Sequence, residues 1–403
     1  MGFWLRTPKA KFGQEPRFMS KEYKHLETKL IHSGEPDPRI EGAVAIPIFQ
    51  SAMFEYAGEK SYNDLKYIRL NNTPNHVALH TKLSALENAE AALVTGSGMA
   101  AISTTLLTLL PAGSHLLIQD CLYGGTHDFV NRDFASFGLE HTFIDADDAS
   151  SWKHHLKPNT KVIYVESMTN PLLQVADLKA VPGFAKNHGL YSVIDNTFAS
   201  PVNFRPLDWG FDISLHSGTK YLNGHNDIVC GAVLGKRDLV ERITHRLNHL
   251  GGTLDPHAAF LLHRGLKTLA LRVGFQNQSA LKVARMLELH PAVAKVNYPG
   301  LETHSRHTRA RELFQGFGGV LSFEPKGGVS ATERFLKKVQ LPTIAPSLGG
   351  VETLAIRPAN TSHAGLSPAD RKNIGITDSL IRLSIGIEAT EDILEDFGHA
   401  LGN

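Results

Sequence analysis

Six short apolar runs, at residues 91–94, 115–119, 161–165, 190–194, 211–215 and 231–234, are separated by segments with apolar positions at helical spacing. The runs lack the strict apolar–polar alternation of a half-exposed strand. Continuous apolar strands alternating with helices predict a parallel sheet buried on both faces, a doubly wound α/β architecture. Ligands of such sheets sit at the carboxyl ends of the strands. The stretch 100–110, rich in Thr and closed by Pro111-Ala112-Gly113, reads as a buried helix.

Beyond about residue 256 the texture changes. Residues 260–289 keep a helical pattern, with a break expected near Gly274, and end at His290-Pro291. Shorter apolar runs at 293–298, 319–323, 353–356 and 380–385 then predict the strands of a smaller α+β domain. The expected division is an N-terminal tail and arm at 1–80, an α/β domain at 81–270 and a C-terminal domain at 271–403.

At 403 residues the chain is long for one core and comfortable for two domains. No stretch reaches the roughly eighteen apolar residues that cross a bilayer. The net charge of +1, with both signs interspersed, argues against a nucleic-acid or membrane partner. Cys121 and Cys230 are too far apart in sequence to suggest a disulfide framework, which points to a reducing, cytoplasmic setting. The first twenty residues are basic (Arg6, Lys9, Lys11, Arg17) without an apolar run, so they read as a tail rather than a secretory signal, with Met19 an alternative start.

The first candidate for chemistry is the turn Gly96-Ser97-Gly98-Met99-Ala100-Ala101, between an apolar run and a helix. Free N–H groups at a helix N-terminus make an anion site. The spacing also fits a dinucleotide fingerprint, with Asp120 where a ribose-binding acid would stand. A nicotinamide-dependent dehydrogenase is therefore a rival, and a turn that merely packs is the plain alternative.

Three further features weigh against that rival. Ser217-Gly218-Thr219-Lys220 places an amine and two hydroxyls just past a buried strand. Desolvation there would lower the lysine's proton affinity and free a nucleophile, although a strand-end lysine can simply reach solvent. Asp195 ends the strand before it and could pair with a protonated ring nitrogen, or merely cap a turn. Arg382 lies within the apolar run 380–385, where a guanidinium calls for an anion or an internal partner. Nicotinamide chemistry gives neither Lys220 nor Asp195 a role. One cofactor, pyridoxal 5′-phosphate (PLP), uses the lysine, the acid, the anion turn and the arginine together.

From about Leu26 to Leu401 the chain resembles the PLP enzymes of cysteine and methionine metabolism: cystathionine lyases, cystathionine γ-synthase, methionine γ-lyase and homoserine sulfhydrylases. The resemblance is carried by Tyr67-Ile68-Arg69, Gly96-Ser97-Gly98-Met99, Tyr123-Gly124-Gly125-Thr126 and Asn170-Pro171. It continues in Asp195-Asn196-Thr197-Phe198, residues 216–224, residues 264–269 and Arg382-Leu383-Ser384-Ile385-Gly386. It implies the aspartate-aminotransferase-like fold (fold type I) with a mainly parallel sheet, in homo-oligomers, usually tetramers, built from dimers that share active sites.

The resemblance also implies roles. Lys220 would bind PLP covalently and shuttle protons, Asp195 would pair with the ring nitrogen, and Tyr123 would stack on the ring. Gly98, Met99, Ser217 and Thr219 would hold the phosphate, with Tyr67 and Arg69 reaching that of the neighbouring subunit. Asn170, Ser347 and Arg382 would meet the substrate carboxylate, with Glu166 and Thr197 in support. The expected substrate is a small sulfur amino acid, L-cystathionine, with γ-cleavage favoured over β-cleavage and γ-replacement on an O-acyl homoserine as the alternative.

Some positions depart from the pattern. Gly125 stands where methionine γ-lyases carry a Cys, which turns the reading away from that activity. Pro346 stands where many cystathionine γ-lyases and bacterial γ-synthases have a Glu for the substrate's distal amino group, which turns the reading away from a γ-lyase, although some γ-synthases also carry Pro there. Ser362 replaces a common Thr, and Asn71-Asn72-Thr73-Pro74 differs from the usual loop. His154, His155, His304 and His307 read as surface histidines rather than metal ligands.

Overall fold

In the computed structural model of the chain, residues 17–18, 23–365 and 367–402 are described. Most of the expected tail, Met19 included, lies outside the described residues. Seven strands form the main sheet: β1 (Ala91–Thr95), β2 (His115–Gln119), β3 (Glu140–Ile144), β4 (Thr160–Glu166), β5 (Tyr191–Asp195), β6 (Ile213–Ser217) and β7 (Gly231–Gly235). Their order across the sheet is β1-β7-β6-β5-β4-β2-β3. The four pairings from β6 to β3 are parallel, while β7 runs antiparallel to both β6 and β1. The expected parallel sheet is thus corrected at one strand. β7 is fully buried, and an apolar run carries no sign of its direction.

The strand β3 was not anticipated. It forms the edge of the sheet and shows only its last residue fully buried, so it has no continuous apolar run to detect. The other strands except β6 have apolar residues on both faces, packed into two layers of core, while β6 turns Ile213 and Leu215 to one layer and the buried polar Ser214 and His216 to the other face. Between β1 and β2 runs helix α1 (Gly98–Leu109).

The C-terminal region carries a five-stranded sheet. Its strands are β8 (Val293–Asn297), β9 (Val320–Pro325), β10 (Thr343–Ile344), β11 (Leu354–Ile356) and β12 (Ile381–Ser384), in the order β8-β9-β12-β11-β10. Only β10 and β11 pair in parallel. Two helices, α2 (Pro256–Leu266) and α3 (Leu269–Leu289), precede it. The helical pattern therefore breaks at Lys267 and Thr268, and Gly274 lies inside α3.

Arg272 explains how that break is stabilised and why it matters. Its buried guanidinium donates to the carbonyls of Gly265 (2.8 Å) and Tyr221 (2.9 Å), and its Nε donates to Thr268 Oγ1 (3.0 Å). One side chain thus closes the helix junction and pins the residue next to Lys220. Burial lowers its proton affinity, to a pKa of about 10, so it stays charged at neutrality. The fit requires Gly224, whose φ is +75° and whose added Cβ would fall 1.9 Å from Arg272 Nη1. Gly224→Ala should therefore cost about 3 kcal/mol, combining a left-handed backbone with overpacking. Thermal unfolding would show it as a clearly lower midpoint, and an unchanged midpoint would contradict this account of the junction.

Candidate active site

The carboxyl ends of β4, β5 and β6 open into a cavity of about 650 Å³. These three parallel neighbours deliver Glu166, Asp195 and Ser217 to one place, because all of them sit at a strand terminus. The loop after β6 adds Thr219 and Lys220, and the N-terminus of α1 adds Gly98 and Met99. Tyr123, Asn170, Thr197, Pro346, Ser347, Ser362 and Arg382 complete the expected set. Tyr67 and Arg69 do not line it. Arg69 donates to the Asn248 carbonyl (2.9 Å) and bonds the Tyr62 hydroxyl. A larger cavity of about 820 Å³, lined by Lys29, His80 and Arg237 among others, contains none of these residues.

Lys220 Nζ donates to Ser347 Oγ at 2.8 Å. Burial, and secondarily the charge of Arg382, lowers its pKa to about 8. Ser347 has a φ of +108°, a conformation L residues rarely adopt, and its carbonyl accepts from Arg382 Nη2 at 2.7 Å. Arg382 Nη1 donates to Asn170 Oδ1 at 2.9 Å. Arg382 is 4% exposed, yet its Nε has no partner among the described residues. A buried guanidinium with a spare donor at a cavity wall suits a carboxylate ligand.

Beneath them lie two buried acids on adjacent strands, Glu166 and Asp195 in register. Burial raises the proton affinity of both. For Glu166 the neighbouring Asp195 charge adds to the rise, and among the described residues the Tyr123 N–H (2.7 Å) is the one donor to it. Asp195 accepts the Thr197 N–H (2.9 Å), bonds its hydroxyl, and faces the charge of His216. The rise is therefore the greater at Glu166, where the fewer hydrogen bonds oppose it, and is opposed at Asp195 by Thr197 and His216. The Asp195–Thr197 bond also makes the turn cap foreseen as the plain alternative.

The phosphate end has its own logic. Ser97 Oγ accepts from Ala100 N at 3.0 Å and caps α1, whose first residues Gly98 and Met99 line the cavity. Gly98 packs against Ser217, whose Cβ would lie 2.9 Å from a Cβ added at Gly98. Thr219 has a further part besides the expected one. Its hydroxyl accepts from Cys230 N (2.9 Å) and donates to Cys230 O (3.2 Å), so it shapes the loop as well as lining the cavity. Amine, ring-facing carboxylate, anion cradle and spare guanidinium donor together fit PLP.

Asp120, the rival ribose ligand, is exposed, accepts from Cys121 N, and belongs to a different cavity from the glycine turn. His154 and His155 are exposed as expected, but His304 and His307 are half-buried, with His307 Nδ1 bonded to the Pro299 carbonyl. Met168, Val229, Leu348 and Thr361 also line the cavity and went unremarked in the sequence. Apolar wall residues carry no chemical signature. Thr361 stands next to Ser362, which could have suggested it.

Comparison with known proteins places the chain. Residues 27–402 match the family described as Cys/Met metabolism PLP-dependent enzyme. The cystathionine gamma-lyase of Bacillus subtilis is 41% identical over 94% of this chain and 99% of its own length. The cystathionine beta-lyase of Coxiella burnetii is 40% identical over 94% and 98%. The crystal structure of cystathionine gamma-lyase from Lactobacillus plantarum superposes with a TM-score of 0.89 at 37% identity, covering 94% of this chain and 98% of that one. The chain belongs to this family and is a PLP-dependent enzyme of the aspartate-aminotransferase-like fold.

The lowered pKa of Lys220 is open to measurement in the apoenzyme. Labelling of Lys220 by a neutral amine-directed reagent should rise with pH about a midpoint near 8. The neutral, reactive form dominates above that midpoint and is lost below it. Arg382→Met should move the midpoint upward, since one of the two causes is removed. A wild-type midpoint near that of an ordinary lysine would contradict the geometry.

Proposed function

We propose that this PLP-dependent enzyme is a carbon–sulfur lyase that cleaves L-cystathionine, with elimination at Cγ favoured over elimination at Cβ. The observation that carries the reading is the Lys220–Ser347–Arg382–Asn170 chain in one cavity, a weakly basic amine beside a carboxylate clamp. When bound, PLP would supply an electron sink for charge left on the substrate α-carbon. Lys220 would hold the cofactor covalently and then take the Cα proton, a task suited to its lowered proton affinity. For γ-elimination a second proton leaves Cβ, and the flexible lysine stem lets one amine serve adjacent carbons. β-Elimination needs only the first deprotonation.

The remaining roles follow from placement. Arg382 and Asn170 would bind the substrate α-carboxylate, and Asp195, supported by Thr197, would hold the ring nitrogen. Gly98, Met99 and Ser217 would receive the phosphate, with Thr219 holding their loop. Tyr123, anchored through its N–H by Glu166, would lie on the ring and donate a proton to the leaving group. A Cβ at Gly125 would fall 2.6 Å from Tyr123 Cε1, so glycine leaves that ring its room. This supports the reading away from a methionine γ-lyase.

Tyr67 and Arg69 lie outside the cavity, beside an arm with Val44, Met53 and Tyr56 exposed. They suit the phosphate site of a neighbouring copy in a dimer that shares active sites and assembles as a tetramer. The arm at 1–80, the α/β domain at 81–270 and the C-terminal domain at 271–403 form the working division. No helix of the described residues is long and apolar enough to cross a membrane. Free, buried Cys121 and Cys230 agree with a cytoplasmic setting.

One observation favours γ-replacement as a second reading. Pro346 stands on the cavity wall, and the acids lining it among the described residues are Glu166 and Asp195, both committed below. A distal ammonium thus meets no free carboxylate from this chain. Incubation with cystathionine alone should yield 2-oxobutanoate, and Lys220→Ala should lose on the order of a thousandfold or more in kcat. Pyruvate would assign β-cleavage. No keto acid, with turnover appearing only when cysteine and an O-acyl homoserine are supplied, would overturn the lyase reading.

A further inference from the structure

Glu87 follows the helix Pro74–Leu86 and is 0% exposed, although no role has been given to it. Its Oε1 accepts from His216 Nε2 at 2.6 Å and from Asn196 Nδ2 at 3.1 Å. His216 is 2% exposed and precedes Ser217 on β6, while Asn196 directly follows Asp195 on β5. One buried carboxylate therefore bonds both strand ends that carry the ring-facing acid and the lysine loop.

The backbone joins the same two ends. Asn196 N donates to the Leu215 carbonyl (2.8 Å), and Ser217 N donates to Thr197 Oγ1 (2.8 Å). Asn196 Nδ2 also donates to the Phe204 carbonyl (2.8 Å), which fixes the amide toward Glu87. Glu87 Oε2 and His216 Nδ1 have no hydrogen-bond partner among the described residues. A carboxylate this deep is costly unless a cation compensates it, and the imidazolium is the group in contact.

We propose that Glu87 and His216 form a buried ion pair of positioning residues, which keeps Asp195 ionised and aimed at the ring nitrogen of the cofactor. Glu87 anchors His216 through Nε2, and His216 stands on the strand adjacent to that of Asp195. The Coulombic effect of His216 on Asp195 acts in the required direction, favouring the carboxylate. Glu87 makes its second contact to the amide of Asn196, so it orients the Asp195 turn as well. This inference rests on the placement of Asp195 against the ring nitrogen, and its test separates the two.

Apoenzyme of Glu87→Gln is titrated with PLP and with the 1-deaza analogue, which lacks the ring nitrogen. Gln keeps the size and an acceptor oxygen but removes the charge. The affinity for PLP should fall on the order of tenfold, the effect of about one pKa unit, while that for the deaza analogue stays near wild type. His216→Asn, which keeps a donor but cannot be charged, should give the same pattern and serves if the first variant misfolds. Equal losses for both cofactors, or no loss for either, would reduce the pair to a structural contact and overturn the proposal. Asp195→Asn is the reference. If it discriminates between the cofactors and the Glu87 and His216 variants do not, the proposal alone falls. If Asp195→Asn treats both cofactors alike, the placement of Asp195 fails and the proposal falls with it.

Discussion

An amine withdrawn from water and set near a guanidinium holds its proton weakly, and Lys220 is in that position because two parts of the chain close over it. The loop after β6 carries it, and the strained Ser347 accepts its hydrogen bond while receiving Arg382 through its carbonyl. Arg382 is in turn placed by β12, the middle strand of the second sheet. The reactive amine thus exists only where both sheets are in register with each other. Arg272, which ties the lysine loop to the helix junction, serves that same alignment from below.

The main sheet acts as the complementary device. Parallel strands end on the same side, and β4, β5 and β6 each end in a polar residue of the cavity. Burying Glu166 and Asp195 side by side opposes the ionisation of both. Hydrogen bonds are donated to them unequally, and more of them favour the Asp195 carboxylate. Tyr123 is linked to this pair, because Glu166 anchors its backbone N–H.

Much of this was legible in the sequence for a simple reason. A charged residue inside an apolar run, as at Arg382, or at its very end, as at Asp195 and Lys220, breaks a pattern that burial otherwise enforces. Where no pattern is broken, nothing can be read. β7 is as apolar as its parallel neighbours, so its reversed direction was hidden. The half-exposed β3 never formed a run, and Gly274 suggested a break that Arg272 instead stabilises seven residues earlier, at Lys267. Glu87 is the sharpest case. A lone acid after a helix is usually solvated, and only the fold brings it under His216 and Asn196.

Every role in the cavity depends on which lysine carries the cofactor. Borohydride reduction of the yellow holoenzyme, followed by digestion and peptide mapping, reports this without reliance on any substrate. A phosphopyridoxyl group on the peptide containing Lys220, with the colour lost, is the expected result. A label on any other lysine, or none at all, would contradict it.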